Sequence, residues 1–293
     1  MLTEIDPTVD YAFKRLFSSA GNTSLLIDLL NALLTGSTVV HEVSLLNPFT
    51  EKEFENDKQA VFDIRASDKA GCLYILEMQK VVPWFFPKRV LFNWGIAYTE
   101  QLFEGDYHAT LLPTRVICIL KETLWEDDEF YHDFRLMDAK RNVLFCKDAE
   151  IHTVELNKFL TPVEQVRTPL ERWCYFLKHA AGMDPEALPE QMRTPAIMRA
   201  MEVLMRIRES EQDRQAYLTR RMNEADIATR EYVNKHAREI GVAEGEIKRI
   251  HFAQRVLKQP LTPTEELGRL SVADLTILAD GLERQALGQS DKP

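Results

Sequence analysis

Two helical patterns, then short segments rich in β-branched and apolar residues broken by one further helical pattern, predict an α/β fold with a mixed sheet in the N-terminal half. After Leu156 the texture changes to proline-punctuated helices. The chain therefore reads as a sheet-containing domain over 1–160 followed by an α-helical C-terminal region over 161–293.

Each element has a local cause. Asp6 before Pro7 is a helix-start signal, a carboxylate cap ahead of a proline whose missing N–H costs nothing in the first turn. Val9, Phe13, Leu16 and Phe17 then share one helical face, and a second helix is predicted from Thr23 to Leu34, stopped by Gly36. Thr38 to Leu45, Gln59 to Ala66, Cys72 to Gln79 and Arg115 to Lys121 have the composition and length of strands, with a helix from Lys88 to Phe103 between the last two. Thr161 and Pro162 open a helix through Trp173 and Phe176. Ala196 to His236 lacks proline and glycine, which favours one or two long helices. Their apolar stripe, Met201, Leu204, Met205 and Ile207, is expected to pack on the core, a neighbouring helix or a second copy, and a homodimer through the C-terminal helices is the reading adopted. Arg208 to Arg221 alternates in charge and reads as a solvated surface. Ser271 and Asp274 form a capping pattern before a last short helix.

The 293 residues are 45% hydrophobic and 28% charged, enough for a sizeable core. The charged residues within Met1 to Phe17 fit neither a signal nor a transit peptide, and no uncharged stretch is long enough to span a bilayer. Cys72, Cys118, Cys146 and Cys174 stand far apart, as expected for reduced thiols in the cytoplasm. A net charge of -10 argues against binding nucleic acid through a broad basic surface, but acidic residues gathered at one site attract a divalent cation. Nucleotide-cofactor and serine-hydrolase motifs are missing. His152 lacks a second ligand at metal spacing and reads as a structural histidine. Trp84-Phe85-Phe86 reads first as a plug beneath the following helix and second as a stacking surface for an unpaired base.

The chemistry concentrates on one predicted hairpin. On the first strand Asp63 shares a face with Val61 and Arg65; on the second, Glu77 shares a face with Ile75 and Gln79. A link of Ser67-Asp68-Lys69-Ala70-Gly71 pairs Ala66 with Cys72 and makes Asp63 and Glu77 diagonal neighbours, roughly 7–8 Å apart at Cα. One hard cation can bridge such a pair and remove the cost of burying it. Spacing alone leaves open the alternative that Asp63 pairs with Arg65 and that Glu77 lies at an exposed strand end.

Asp63, a hairpin and then Glu77-Met78-Gln79 resemble the PD-(D/E)XK nucleases, and within them the recombination-promoting nuclease (Rpn) family of transposase-like proteins, where Glu-x-Gln replaces Glu-x-Lys. Also similar are Asp10 to Phe17, Arg89 to Gly105 with Tyr98, Gln101 and Tyr107, Ile151 to Phe159, and Gly241 to Gly245. The resemblance implies a restriction-endonuclease-like mixed sheet flanked by helices, with DNA phosphodiester hydrolysis dependent on Mg²⁺, or on Mn²⁺ as a substitute. It further implies low sequence specificity and a tie to DNA recombination, element mobility or defence.

On that resemblance Asp63, Glu77 and Gln79 are the catalytic set, and Asp63, Glu77 and the Met78 carbonyl the metal ligands, with waters completing an octahedron. Gln79 orients the attacking water but lacks the charge of the usual lysine, so Gln79→Lys is expected to retain activity. Asp10 and Lys80 are additional candidates. Asp10 reads equally well as an i to i+4 partner of Lys14, and Lys80 reaches the site only through a bulge. Arg89 is the candidate phosphate contact, with surface solvation as its alternative. The competing function is a catalytically weak or inactive DNA- or protein-binding relative that acts through its helical C-terminal region.

Overall fold

A computed structural model of the chain describes residues 2–34, 39–47 and 63–290. Val61, Phe62 and the start of the first two predicted strands lie outside them. The helices α1 (Asp10–Phe17) and α2 (Thr23–Leu33) precede β1 (Val43–Leu45), β2 (Ile64–Asp68) and β3 (Leu73–Gln79). Next come α3 (Phe86–Thr99), β4 (Thr114–Leu120), β5 (Tyr131–Arg135), a small hairpin of β6 (Met137–Asp138) and β7 (Val143–Leu144), and β8 (Ala149–Glu155). The remainder is helical: α4 (Pro169–His179), α5 (Pro195–Glu209), α6 (Glu211–Val256), α7 (Thr264–Leu267) and α8 (Val272–Ser290).

Six strands form a mixed sheet in the order β1-β2-β3-β4-β8-β5. The β1–β2 and β2–β3 pairs are antiparallel, the β3–β4 and β4–β8 pairs parallel, and β5 closes the edge antiparallel to β8. The parallel β3–β4 pair needs a crossover, which α3 supplies. One sheet face, with Ile64, Leu76 and Ile117, packs against residues of α1, α2, α4 and α5 such as Phe13, Leu30, Trp173 and Leu204. The other, with Ile75, Val116, Cys118 and Leu120, is covered by Phe86, Val90 and Ala97 of α3.

Several elements differ from the sequence reading for identifiable reasons. Asp6, Pro7 and Thr8 form a turn, with Asp6 Oδ1 accepting the Thr8 N–H at 2.9 Å, and α1 begins only at Asp10. A carboxylate before proline suits a turn as well as a helix start. The expected face nevertheless holds, since Val9, Phe13, Leu16 and Phe17 are all fully buried. The helix through Trp173 starts at Pro169, where Thr168 and Glu171 build a reciprocal capping box. β5 is polar because it is an edge strand, and it gave no apolar signal. The last helix does have Ser271 capping Asp274, but it is 19 residues long.

Two corrections bear on function. Met201, Leu204 and Ile207 are buried in the same core as α1 and α2, so this stripe serves packing within the chain. The segment from Arg208 to Arg221 is only partly a solvated surface: Asp213 is buried and receives the Tyr11 hydroxyl and Arg15, whose Nη2 lies 3.0 and 2.9 Å from its two oxygens. The buried Tyr217 hydroxyl accepts the Asp6 N–H at 3.0 Å. The chain divides into compact units over 1–225 and 226–293, and the expected boundary at 160 falls inside the first. The second has its own small core of Ile250, Leu267, Leu275 and Ala279, and Arg249 there pairs with Glu246, Asp280 and Glu283. Among the described residues no helix is long and apolar enough to cross a membrane.

Candidate active site

The β2–β3 hairpin is tighter than the sequence reading made it. Its loop is Lys69-Ala70-Gly71: Gly71 N–H donates to Asp68 O at 3.0 Å, Asp68 N–H donates to Cys72 O at 3.1 Å, and Gly71 takes a positive φ of 84°. This is a type I turn followed by a left-handed residue, which closes a hairpin with a one-residue bulge. Asp68 Oδ1 fastens it by accepting the N–H groups of Ala70 and Cys72. Ala66 therefore pairs with Tyr74, not with Cys72. A shift of two leaves every side chain on its face but moves Asp63, one residue beyond the Ile64–Leu76 pair, from diagonal to Glu77 to directly opposite it.

Asp63 stands where the ladder ends, and its Oδ2 accepts the Met78 N–H at 2.8 Å. It is half-buried. Its carboxyl is pushed up to about 7 by burial first and then by the negative charges of Asp10 and Glu77, with the Met78 N–H and Lys14 acting the other way. Glu77 is buried, and burial raises its pKa against the opposing pull of Asn93 and Arg89. Asn93 Nδ2 donates to Glu77 Oε1 at 2.8 Å, and Arg89 Nη2 lies 3.7 Å from Glu77 Oε2. The same guanidinium donates to Gln79 Oε1 at 2.6 Å, while Gln79 Nε2 donates to Val81 O at 2.6 Å. Beneath them Cys118, paired with Glu77 in the β3–β4 register, is held a neutral thiol by burial.

The structure thus brings Asp63, Glu77, Gln79 and Arg89 together on one hairpin and its following helix. The positive charge absent from Gln79 is supplied next to it by Arg89. Asp10 approaches from α1, with Oδ1 3.1 Å from Lys14 Nζ and Oδ2 3.6 Å from Arg220. That Oδ1 is buried and makes no directed hydrogen bond. Lys80 does not stand with Gln79: it points to the α6 side, where Nζ lies 2.5 Å from Glu224 Oε2, and Glu224 Oε1 accepts the Asp10 N–H at 2.7 Å. The helical half therefore reaches the two additional candidates, Asp10 and Lys80.

Asn93 and Glu224 escaped the sequence reading. Asn93 was findable, because it is the polar member of the buried α3 face formed by Phe86, Val90 and Ala97. Glu224 carried no local signal at all. In the Trp84-Phe85-Phe86 run Phe86 is the buried plug, while Trp84 and Phe85 are 69% and 41% exposed. His152 is a buried core residue, its Nδ1 2.9 Å from the Tyr131 hydroxyl.

This donor set suits a hard divalent cation. Among the described residues no three His, Cys, Asp or Glu side chains form a metal-holding group, so an ion here would rest on a carboxylate pair, main-chain oxygen and water, as Mg²⁺ commonly does. A cation would offset the burial, and the smaller repulsion from Asp10 and Glu77, that lift Asp63.

Comparison with known proteins bears on the same residues. Residues 7–231 match the profile of the family described as PD-(D/E)XK nuclease family transposase, a span that holds α1, the hairpin and Glu224. No curated protein and no solved structure matches the chain significantly. The six-stranded mixed sheet between helices, with a helical C-terminal region after it, is the restriction-endonuclease-like arrangement. With an acidic hairpin of the Asp, Glu-x-Gln form inside the matched span, the chain belongs to the PD-(D/E)XK nuclease family transposases and is Rpn-like among them.

Proposed function

We propose that this protein is a Mg²⁺-dependent DNA endonuclease of low sequence specificity, acting in the cytoplasm in DNA recombination, element mobility or defence. The observation that carries the reading is the hairpin register, which sets Asp63 opposite Glu77 with Arg89 bridging Glu77 and Gln79. Asp63 and Glu77, with the Met78 carbonyl, would hold the ion; Mn²⁺ would substitute. The bound ion supplies Lewis acidity toward a phosphoryl oxygen and toward the attacking water.

The chain's own groups do the rest. The Met78 N–H fixes Asp63, and Asn93 fixes Glu77, so both carboxylates are oriented before substrate arrives. Gln79 and Arg89 form one hydrogen-bonded unit in which Arg89 offsets the charge developing on the attacked phosphate and Gln79 holds that guanidinium in place. Asp10, anchored by Glu224 and Lys14, sets the field at Asp63 as a positioning residue. A homodimer belongs to the same proposal. It would use exposed apolar residues of α6 such as Leu218 and Met222, because the α5 stripe is already covered.

Supercoiled plasmid tests the reading. Nicking is expected in Mg²⁺ and not in EDTA, and Asp63→Ala should lower it by more than the roughly 10–100-fold that loss of an outer partner costs. Nicking in EDTA, or an Asp63→Ala protein as active as the parent, rejects the mechanism. A folded parent that binds DNA without nicking it would favour the inactive, binding relative.

A further inference from the structure

We propose that Trp84 and Phe85, at the start of α3, form a stacking platform for unpaired bases next to the scissile phosphate. The substrate would then be DNA that is single-stranded, flapped or mismatched beside the cut; this deepens the nuclease reading and rests on it.

The helix α3 presents opposite characters on its two sides. Phe86, Val90, Asn93 and Ala97 face the sheet and are buried. On the other side Trp84, Phe85, Leu91 and Phe92 are 69%, 41%, 58% and 67% exposed, a density of apolar surface that marks a binding site more often than chance. The exposed pair is rigidly mounted. Phe86 anchors it in the core, the Phe86 N–H donates to Pro83 O at 2.8 Å, and Pro87 fixes the first turn.

The platform is also close to the chemistry. Trp84 is five positions after Gln79, so their Cα atoms are at most about 18 Å apart. Phe85 lies one helical turn, about 6 Å of rise, before Arg89, the cation joined to Glu77 and Gln79.

The chemistry of the patch selects among occupants. Lys88, exposed on the same side, has Nζ 5.7 Å from the Trp84 ring centroid. The Trp84 and Phe85 rings stand perpendicular with centroids 5.8 Å apart, so they offer flat faces in two directions. Aromatic faces with a cation over one of them and Arg89 one turn away suit bases whose phosphates run alongside. With a net charge of -10 the chain has little long-range pull on DNA, and stacking gives short-range affinity in its place.

Fluorescence anisotropy decides it, in EDTA so that nothing is cut. The probes are a fully paired labelled duplex and the same duplex interrupted by an internal tract of unpaired thymidines. The parent should bind the interrupted duplex about tenfold more tightly or better. The Trp84→Ala/Phe85→Ala double variant should lose that preference while its melting temperature and its affinity for paired duplex stay unchanged. Trp84→Phe should keep more of the preference than Trp84→Leu. Equal binding of both probes by the parent, or a preference that survives in the double variant, overturns the proposal, as does a drop in mass by light scattering with the preference intact, which would give the patch to a second copy of the chain. Plasmid nicking that persists beside equal binding removes the platform and leaves the nuclease; a preference without any nicking keeps the platform and removes the nuclease.

Discussion

Glu77 and Glu150 both sit in the central parallel strands of one sheet, at 6% and 5% exposure, and are treated in opposite ways. At Glu150 the protein supplies its own compensation. The His152 imidazole, 3.8 Å away, and the Arg115 Nε, 2.6 Å away, hold that carboxyl down at about 2. At 3.8 Å the imidazole lies beyond normal hydrogen-bond distance, so the Arg115 hydrogen bond is the stronger hold. At Glu77 the close partner is the neutral Asn93 amide and the cation stands off at 3.7 Å, while the facing Asp63 is lifted to about 7. The same sheet neutralises one acid and leaves another pair short of positive charge. That contrast locates the place where an outside cation is expected.

Breaking each cluster should have effects of opposite sign. Asp63→Asn should raise the metal-free melting temperature and abolish cleavage, because it removes repulsion along with a ligand. Glu150→Ala should instead destabilise the fold by about 3 kcal/mol in urea denaturation, since it leaves Arg115 nearly buried beside an unpaired position. A stabilised Glu150→Ala protein, or an Asp63→Asn protein less stable than the parent, would erase the distinction.

A smaller effect sharpens the account of Gln79. Because its Oε1 accepts from Arg89, a lysine there would lose the acceptor and set two cations side by side. Gln79→Lys should therefore cost roughly 10–100-fold in plasmid nicking, much as Gln79→Ala does, where the motif alone led to the opposite expectation. Full activity in Gln79→Lys would show that Arg89 does not depend on the amide.

The smallest effect is a pH dependence. Asp63 has a raised folded pKa, so the stability it contributes is complete below about pH 4 and is lost as pH rises through about 7. Glu150, with a depressed one, contributes fully above its ordinary range and loses its contribution only toward pH 2. Between pH 5 and 8 the metal-free protein should thus lose a few degrees of melting temperature, Asp63→Asn should lose less, and Mg²⁺ at pH 8 should restore the difference. Calorimetry that finds the same slope in both proteins would assign the titration elsewhere.

How much of this was legible in the sequence follows from the range of each interaction. Strand and helix faces are local, and periodicity found Val9, Phe13, Leu16 and Phe17 as well as the shared side of Asp63 and Glu77. The register was missed because Asp68 and Gly71 make a three-residue loop where length alone suggested five, although Asp-x-x-Gly carried the signal. The partners of α1 were invisible, because Asp213 and Glu224 act on residues some 200 positions away and look like any charged helix surface.

That separation matters while the protein is being made. The hairpin with Asp63 and Glu77 is a local element, whereas Asp10 gains Glu224, and Tyr11 and Arg15 gain Asp213, only after some 200 further residues have been made. At roughly 5–20 residues per second the interval is tens of seconds at the slower end, and such distant contacts form late in folding as well. A nascent chain would therefore carry its acidic hairpin long before the helix that fastens α1, and the setting of Asp10 about Asp63 would be complete only once Glu224 has been made.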